Sequence, residues 1–168
     1  MVLDTMLGTR STTRVLAKDR LEGFLSVLSE FGQVWAPRKV GRSSYAFEEY
    51  RQGIDIALDY VRTIIPPKNF FFPPQETLYS FSGRGYERPT EDASPTRVIF
   101  GLHPCDIKAL EILDVIFNGK YLDPRYFRRR NKSLIVGLDC SPDEYCFCDA
   151  FGNETVEKGF DLFLTDLG

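Results

Sequence analysis

All four cysteines of the chain, Cys105, Cys140, Cys146 and Cys148, lie between positions 105 and 148, and the residues before Cys105 include none. Thiolate is the ligand that zinc and iron–sulfur clusters both favour. Four of them can close a tetrahedral zinc site or give one ligand to each iron of a cubane cluster. Buried free thiols and disulfides are the plainer alternatives. The run Cys146-Phe147-Cys148 argues against a disulfide framework, because a ring closed across one residue is strained and removes little chain entropy. A shared metal site is the expected arrangement.

Ligand count alone does not separate zinc from a cluster. Structural zinc sites usually present paired C-x2-4-C knuckles, whereas here a lone Cys105 is followed far downstream by C-x5-C-x-C. The cysteine run of bacterial ferredoxins is absent too. The spacing alone leans only slightly toward a cluster. A zinc-stabilised structural or interaction module using the same four cysteines is the alternative. A thiol exchange enzyme using Cys146 and Cys148 is the weakest reading, because the two-residue spacer of C-x-x-C is missing.

Other chemistry-bearing residues cluster nearby. His103 is the single histidine; it reads as a solvent-facing or capping side chain, or as a hydrogen-bond donor to a cluster sulfur. Asp106 reads as a helix N-cap rather than an acid or base. Arg125, Arg128, Arg129 and Arg130 read as a solvated face that could also dock a partner. No catalytic residue is expected. Gly83-Arg84-Gly85 follows no convincing strand and lacks the third glycine of a dinucleotide fingerprint.

These residues need elements to position them. Residues 97–102 and 133–138 are apolar runs of buried-strand type, and 160–165 is a third. Between the first two, residues 106–117 place Ile107, Leu110, Leu113, Ile116 and Phe117 on one helical face. Asp123-Pro124 then starts a shorter helix that ends in arginines. Strand, helix, strand is the grammar of a parallel sheet covered by helices. If the first two strands are parallel neighbours, Cys105 and Cys140 leave the same carboxyl edge, where α/β folds form ligand sites. The helix beginning at Cys105 would also favour a thiolate there through its dipole.

Upstream, Leu21, Phe24, Leu25, Leu28 and Phe31 mark an amphipathic helix ended by Gly32. Residues 33–36 and 44–48 suggest a hairpin or two edge strands, and 54–65 fits helix or extended chain equally. Pro66-Pro67 stops that segment, Phe70-Phe71-Phe72 should fill the core, and a short helix is expected over 75–81. Residues 82–96 read as a polar surface loop. The expected fold is α/β: a mixed sheet, mostly parallel in the second half, flanked by helices. Residues 1–168 are expected to form one α/β domain, with 1–65 a less defined N-terminal part and 66–168 the cysteine-bearing part.

Composition narrows the function class. A 168-residue chain with 43% hydrophobic and 14% aromatic residues can build a real core. The formal net charge of −3 is spread along the chain, so no nucleic-acid partner is expected. The N-terminus lacks the apolar run of a signal peptide and no stretch is long enough to span a bilayer, which predicts a cytoplasmic location. There, clustered cysteines are more often metal ligands than bridges.

The segments Phe70-Phe71-Phe72-Pro73-Pro74-Gln75-Glu76-Thr77-Leu78, His103-Pro104-Cys105-Asp106, Leu138-Asp139-Cys140, Cys146-Phe147-Cys148 and Gly159-Phe160-Asp161-Leu162 to Gly168 carry a resemblance. In that order they resemble the N-terminal region of iron–sulfur electron-transfer subunits of the sulfhydrogenase beta and anaerobic sulfite reductase A type. The resemblance implies a 4Fe-4S cluster on Cys105, Cys140, Cys146 and Cys148. It implies a relay between a flavin-bearing, NAD(P)-reacting subunit and a hydrogenase or sulfite reductase catalytic subunit, without bond chemistry in the relay itself. It also implies a C-terminal ferredoxin-like domain that this sequence does not include.

Overall fold

The computed structural model describes residues 2–6, 11–83, 85–87 and 95–168. Strands β1 (Val2–Met6) and β2 (Ser11–Val15) precede helix α1 (Leu21–Ser29), which is followed by β3 (Gln33–Lys39) and β4 (Tyr45–Glu49). Strands β5 (Ser80–Ser82) and β6 (Gly85–Glu87) form a separate two-stranded hairpin. The second half runs β7 (Arg97–Leu102), α2 (Pro104–Phe117), α3 (Pro124–Asn131), β8 (Ser133–Leu138) and β9 (Leu162–Thr165).

Seven strands make one sheet in the order β2-β1-β9-β8-β7-β3-β4. Its four central strands, β9, β8, β7 and β3, are mutually parallel, and antiparallel strands flank them on both sides. This is the expected α/β class with a mixed sheet, parallel through β7, β8 and β9. Strands β7 and β8 are near-continuous apolar runs because both faces are covered. On one face, Val98, Phe100, Val136, Leu138 and Leu164 pack with Leu25 and Leu28 of α1. On the other, Ile99 and Ile135 pack with Ile107 and Leu110 of α2 and Tyr126 of α3.

Simple alternation would put Leu102 on the same face as Val98 and Phe100. It lies instead with Ile99 and Ile107, because the β7–β8 register shifts between Phe100 and Leu102. That bulge sits at Gly101, whose φ of +90° is open to glycine and costly for other residues. A Cβ there would also stand 3.0 Å from the Pro37 ring of β3. The bulge therefore re-aims the end of β7 toward α2 just before the chain reaches Cys105.

Gly137 sets how closely α2 and β9 approach β8. A Cβ on it would lie 2.4 Å from Phe163 Cδ2 and 3.1 Å from Ile107 Cδ1. Gly137→Ala should destabilise the fold by about 1–3 kcal/mol, as overpacking does. Urea unfolding should show a lower midpoint at unchanged slope.

The helix termini follow their sequence. Asp123 Oδ1 accepts from the backbone N–H of Arg125 at 2.9 Å and of Tyr126 at 3.3 Å, with Pro124 in the first turn of α3. Several expectations need correction. No helix forms over 75–81; the only regular turn near the proline pairs is a 3-10 turn at Pro67–Phe70. The reason is tertiary: Arg125 donates to the carbonyls of Thr77 and Leu78, and Glu76 is drawn to Arg125 and Arg129. Of the three adjacent phenylalanines, Phe71 is fully buried and Phe72 is exposed. Residues 54–65 are neither helix nor strand but irregular chain, tied by Ala57 N–H to Pro37 O and Ile64 N–H to Tyr45 O. Strands β3 and β4 form a hairpin, one of the two expected arrangements; β4 is an edge, whereas β3 is interior. The N-terminal strands, which the polar Ser/Thr run concealed, extend the sheet beyond β9. Of the loop expected at 82–96, residues 84 and 88–94 lie outside the described residues. Among the described residues no helix is long and apolar enough to cross a membrane.

Candidate metal centre

Strands β7 and β8 are parallel neighbours, so the chain leaves both at one carboxyl edge of the sheet. Cys105 is the second residue of α2, which begins directly after β7, and Cys140 lies two residues past the end of β8. Residues 139–161 then cross to the parallel strand β9 with one 3-10 turn, Asp149–Phe151, as their only regular element. This crossover holds Cys146 and Cys148. A loop of that length with so little secondary structure of its own is unusual unless it serves a function. Its root is stitched to β9 by Asp139 N–H to Leu164 O at 2.9 Å and by Asp166 N–H to Asp139 Oδ1 at 3.1 Å.

All four cysteines are free and half-buried. Burial pushes the Cys105 thiol up to about 12, with the charges of Asp106, Cys148 and Cys140 adding to the shift. Burial likewise pushes Cys140 up to about 11, helped by Cys148, Cys146, Asp139 and Asp106. The expected pull of the α2 N-terminus toward thiolate is outweighed by desolvation and by negative neighbours. Cys148 and Cys140 thus bear on Cys105, and Cys148 and Cys146 on Cys140. Among the described residues, no three His, Cys, Asp or Glu side chains are gathered closely enough to hold a single metal ion. A zinc ion, with Zn–S bonds of about 2.3 Å, would require the set to close up.

His103 is 1% exposed, not solvent-facing. It occupies the N-cap position of α2 without a side-chain cap bond. It hydrogen-bonds the backbone of Val61, and burial pushes its pKa down to about 4, so the ring is neutral. Nε2 is buried without a partner. With the N–H given to Val61, that nitrogen is an acceptor, so the donor role expected for His103 is not available to the neutral ring as it stands. Tyr60 stacks on the imidazole with centroids 4.0 Å apart and planes 18° apart, and its hydroxyl donates to Gly101 O at 2.6 Å. Its own pKa is raised well above the usual value by burial, then by Asp106, Cys105 and Cys140.

Asp106 is not the cap. It lies in the first turn of α2 with its N–H bonded to His103 O at 3.0 Å, and burial pushes its carboxyl up to about 6. Nor do the arginines of α3 make a solvated face. Arg125 and Arg129 bind Glu76 at 3.2 and 2.8 Å, Arg129 Nε donates to Phe71 O, and Arg130 pairs with Asp114 at 3.3 Å. Arg125, Arg129 and Arg130 anchor the 70–78 segment and α2.

The chain is 41% identical over 144 residues to Sulfhydrogenase 2 subunit beta of Pyrococcus furiosus, an alignment covering 86% of this chain and 42% of that protein. Over this region the chain is similar to a sulfhydrogenase beta-type subunit. It spans less than half the length of that relative. No protein-family model and no solved structure matches the chain. The structure adds Tyr60, Arg62 and Asp143 to the surroundings of the cysteines. Sequence reasoning missed them because no spacing or periodicity links residues 60–62 to a loop eighty positions away.

Proposed function

We propose that Cys105, Cys140, Cys146 and Cys148 hold a 4Fe-4S cluster and that the chain relays electrons. It would work between a flavin-bearing, NAD(P)-reacting subunit and a catalytic subunit of hydrogenase or sulfite reductase type. The observation that carries this reading is the exit of Cys105 and Cys140 from adjacent parallel strands at one sheet edge, with Cys146 and Cys148 on the crossover that leaves this edge after β8. When bound, the cluster supplies a one-electron redox couple. The chain's own residues do the rest. Cysteine thiols supply the ligands, the Tyr60–His103 stack and the bulge at Gly101 form a dry wall beside Cys105, and the half-buried carboxyl of Asp106 adds negative charge. Tyr145, Phe147 and Phe151 stand exposed on the crossover, and an apolar rim beside a redox group suits a covering partner subunit.

Anaerobic reconstitution of the chain with ferrous iron and sulfide tests the reading. About four irons and four sulfides per chain are expected, with a visible band that bleaches on reduction. Stoichiometric zinc uptake without sulfide incorporation would favour the structural module instead. NADH- or hydrogen-dependent dye reduction by the chain alone would show catalysis and overturn the relay.

A further inference from the structure

Three consecutive residues of the irregular segment at 54–65 reach three different parts of the site. Tyr60 bonds the β7 bulge at Gly101, Val61 bonds His103 at the start of α2, and Arg62 bonds the cysteine loop. Arg62 contacts the loop that carries Cys146. Its Nη2 donates to Asp143 Oδ1 and approaches Cys146 Sγ at 3.8 Å, while the guanidinium stands 5.7 Å over the Tyr145 ring. Asp143 in turn accepts from Tyr145 N–H at 3.0 Å through its side chain and from Cys146 N–H at 3.1 Å through its carbonyl, and Cys146 Sγ lies 3.4 Å from its carboxylate.

We propose that Arg62 is a positioning residue for the cysteine site: through Asp143 it fixes the turn that presents Cys146, and its cation offsets the negative charge that gathers on that sulfur. The proposal deepens the cluster reading and rests on it for the second part. The Arg62 and Asp143 side chains are 54% and 38% exposed, so the pair adds little to global stability. Its effect is local. Cys146 is the cysteine with a guanidinium donor at its sulfur among the hydrogen bonds of the site. An extra electron delocalised over cluster and thiolates is favoured by a nearby cation, and the benefit is screened by salt because the site is open to water.

Two measurements on the full chain, wild type, R62K and R62Q, separate the parts. In the metal-free protein, amide hydrogen exchange at Tyr145 and Cys146 should quicken at least severalfold in R62Q, while exchange in β7 and β8 stays unchanged; R62K should fall between. In the reconstituted protein, the midpoint potential should move negative in R62Q and remain near wild type in R62K, and the wild-type potential should depend more steeply on salt than that of R62Q. Unchanged loop exchange in R62Q overturns the clamp. Faster exchange with an unmoved potential overturns the action on the sulfur. Faster exchange in R62Q, with a wild-type chain that never takes up iron and sulfide together, leaves the clamp standing and sinks the cluster reading.

Discussion

Cys105→Ser and Cys140→Ser should each leave a folded chain that no longer retains iron and sulfide after reconstitution. The fold survives because the first turn of α2 is held by Asp106 and Ile107 N–H bonding to His103 O, at 3.0 and 3.1 Å, without help from the Cys105 side chain. Retention should drop by more than the about 10–100-fold that disturbing an outer partner of a metal site costs. Iron and sulfide content measured beside far-UV circular dichroism checks both halves. Loading should also depend on pH with a defined sign. With Cys105 pushed up to about 12 and Cys140 up to about 11, both are neutral thiols at pH 7 in the metal-free chain and must lose protons to bind. Raising the pH removes the competing proton, so loading affinity should increase by about tenfold per pH unit for each such thiol. Affinity independent of pH between 6 and 9 would mean that neither thiol is a ligand.

Tyr60→Ala should be the most destabilising substitution near the site. The side chain is 2% exposed, stacks on His103, meets Phe47 edge-on with centroids 6.1 Å apart and donates to Gly101 O. Removing a buried aromatic ring costs about 3–5 kcal/mol, a large share of the roughly 5–15 kcal/mol that holds a typical fold. Tyr60→Phe keeps the ring and loses the hydroxyl bond, so its cost should be about 0.5–1.5 kcal/mol. Urea unfolding of the metal-free chain ranks the two variants. Equal stability of Tyr60→Ala and wild type would mean that the segment at 54–65 is not packed as described.

The sequence by itself determined the parallel half of the fold. Residues 97–102 and 133–138 are apolar without alternation because strands covered on both faces need no polar side, and the intervening helices carry their apolar faces and caps in local spacing. From those strands alone it followed that Cys105 and Cys140 would leave one sheet edge if the strands paired in parallel, and they do. Local signals also marked the Asp123 cap, whereas α1 ends at Ser29, short of the expected stop at Gly32.

Only the tertiary structure decided the rest. The segment at 54–65 has no period of its own because its hydrogen bonds go to Pro37, Tyr45, Gly101 and Asp143, partners distant in sequence. The helix expected over 75–81 does not form because Arg125 takes its carbonyls. Leu102 changes face because β7 bulges at Gly101 against Pro37 of a neighbouring strand. His103 is buried because Tyr60 stacks on it, and Asp106 is not the N-cap because α2 already begins at Pro104. A helix dipole read from the sequence favoured thiolate at Cys105, yet burial and the charges of Asp106, Cys148 and Cys140 reverse that preference. Local spacing records what a residue needs from its own element, whereas desolvation and charge depend on what other elements bring beside it.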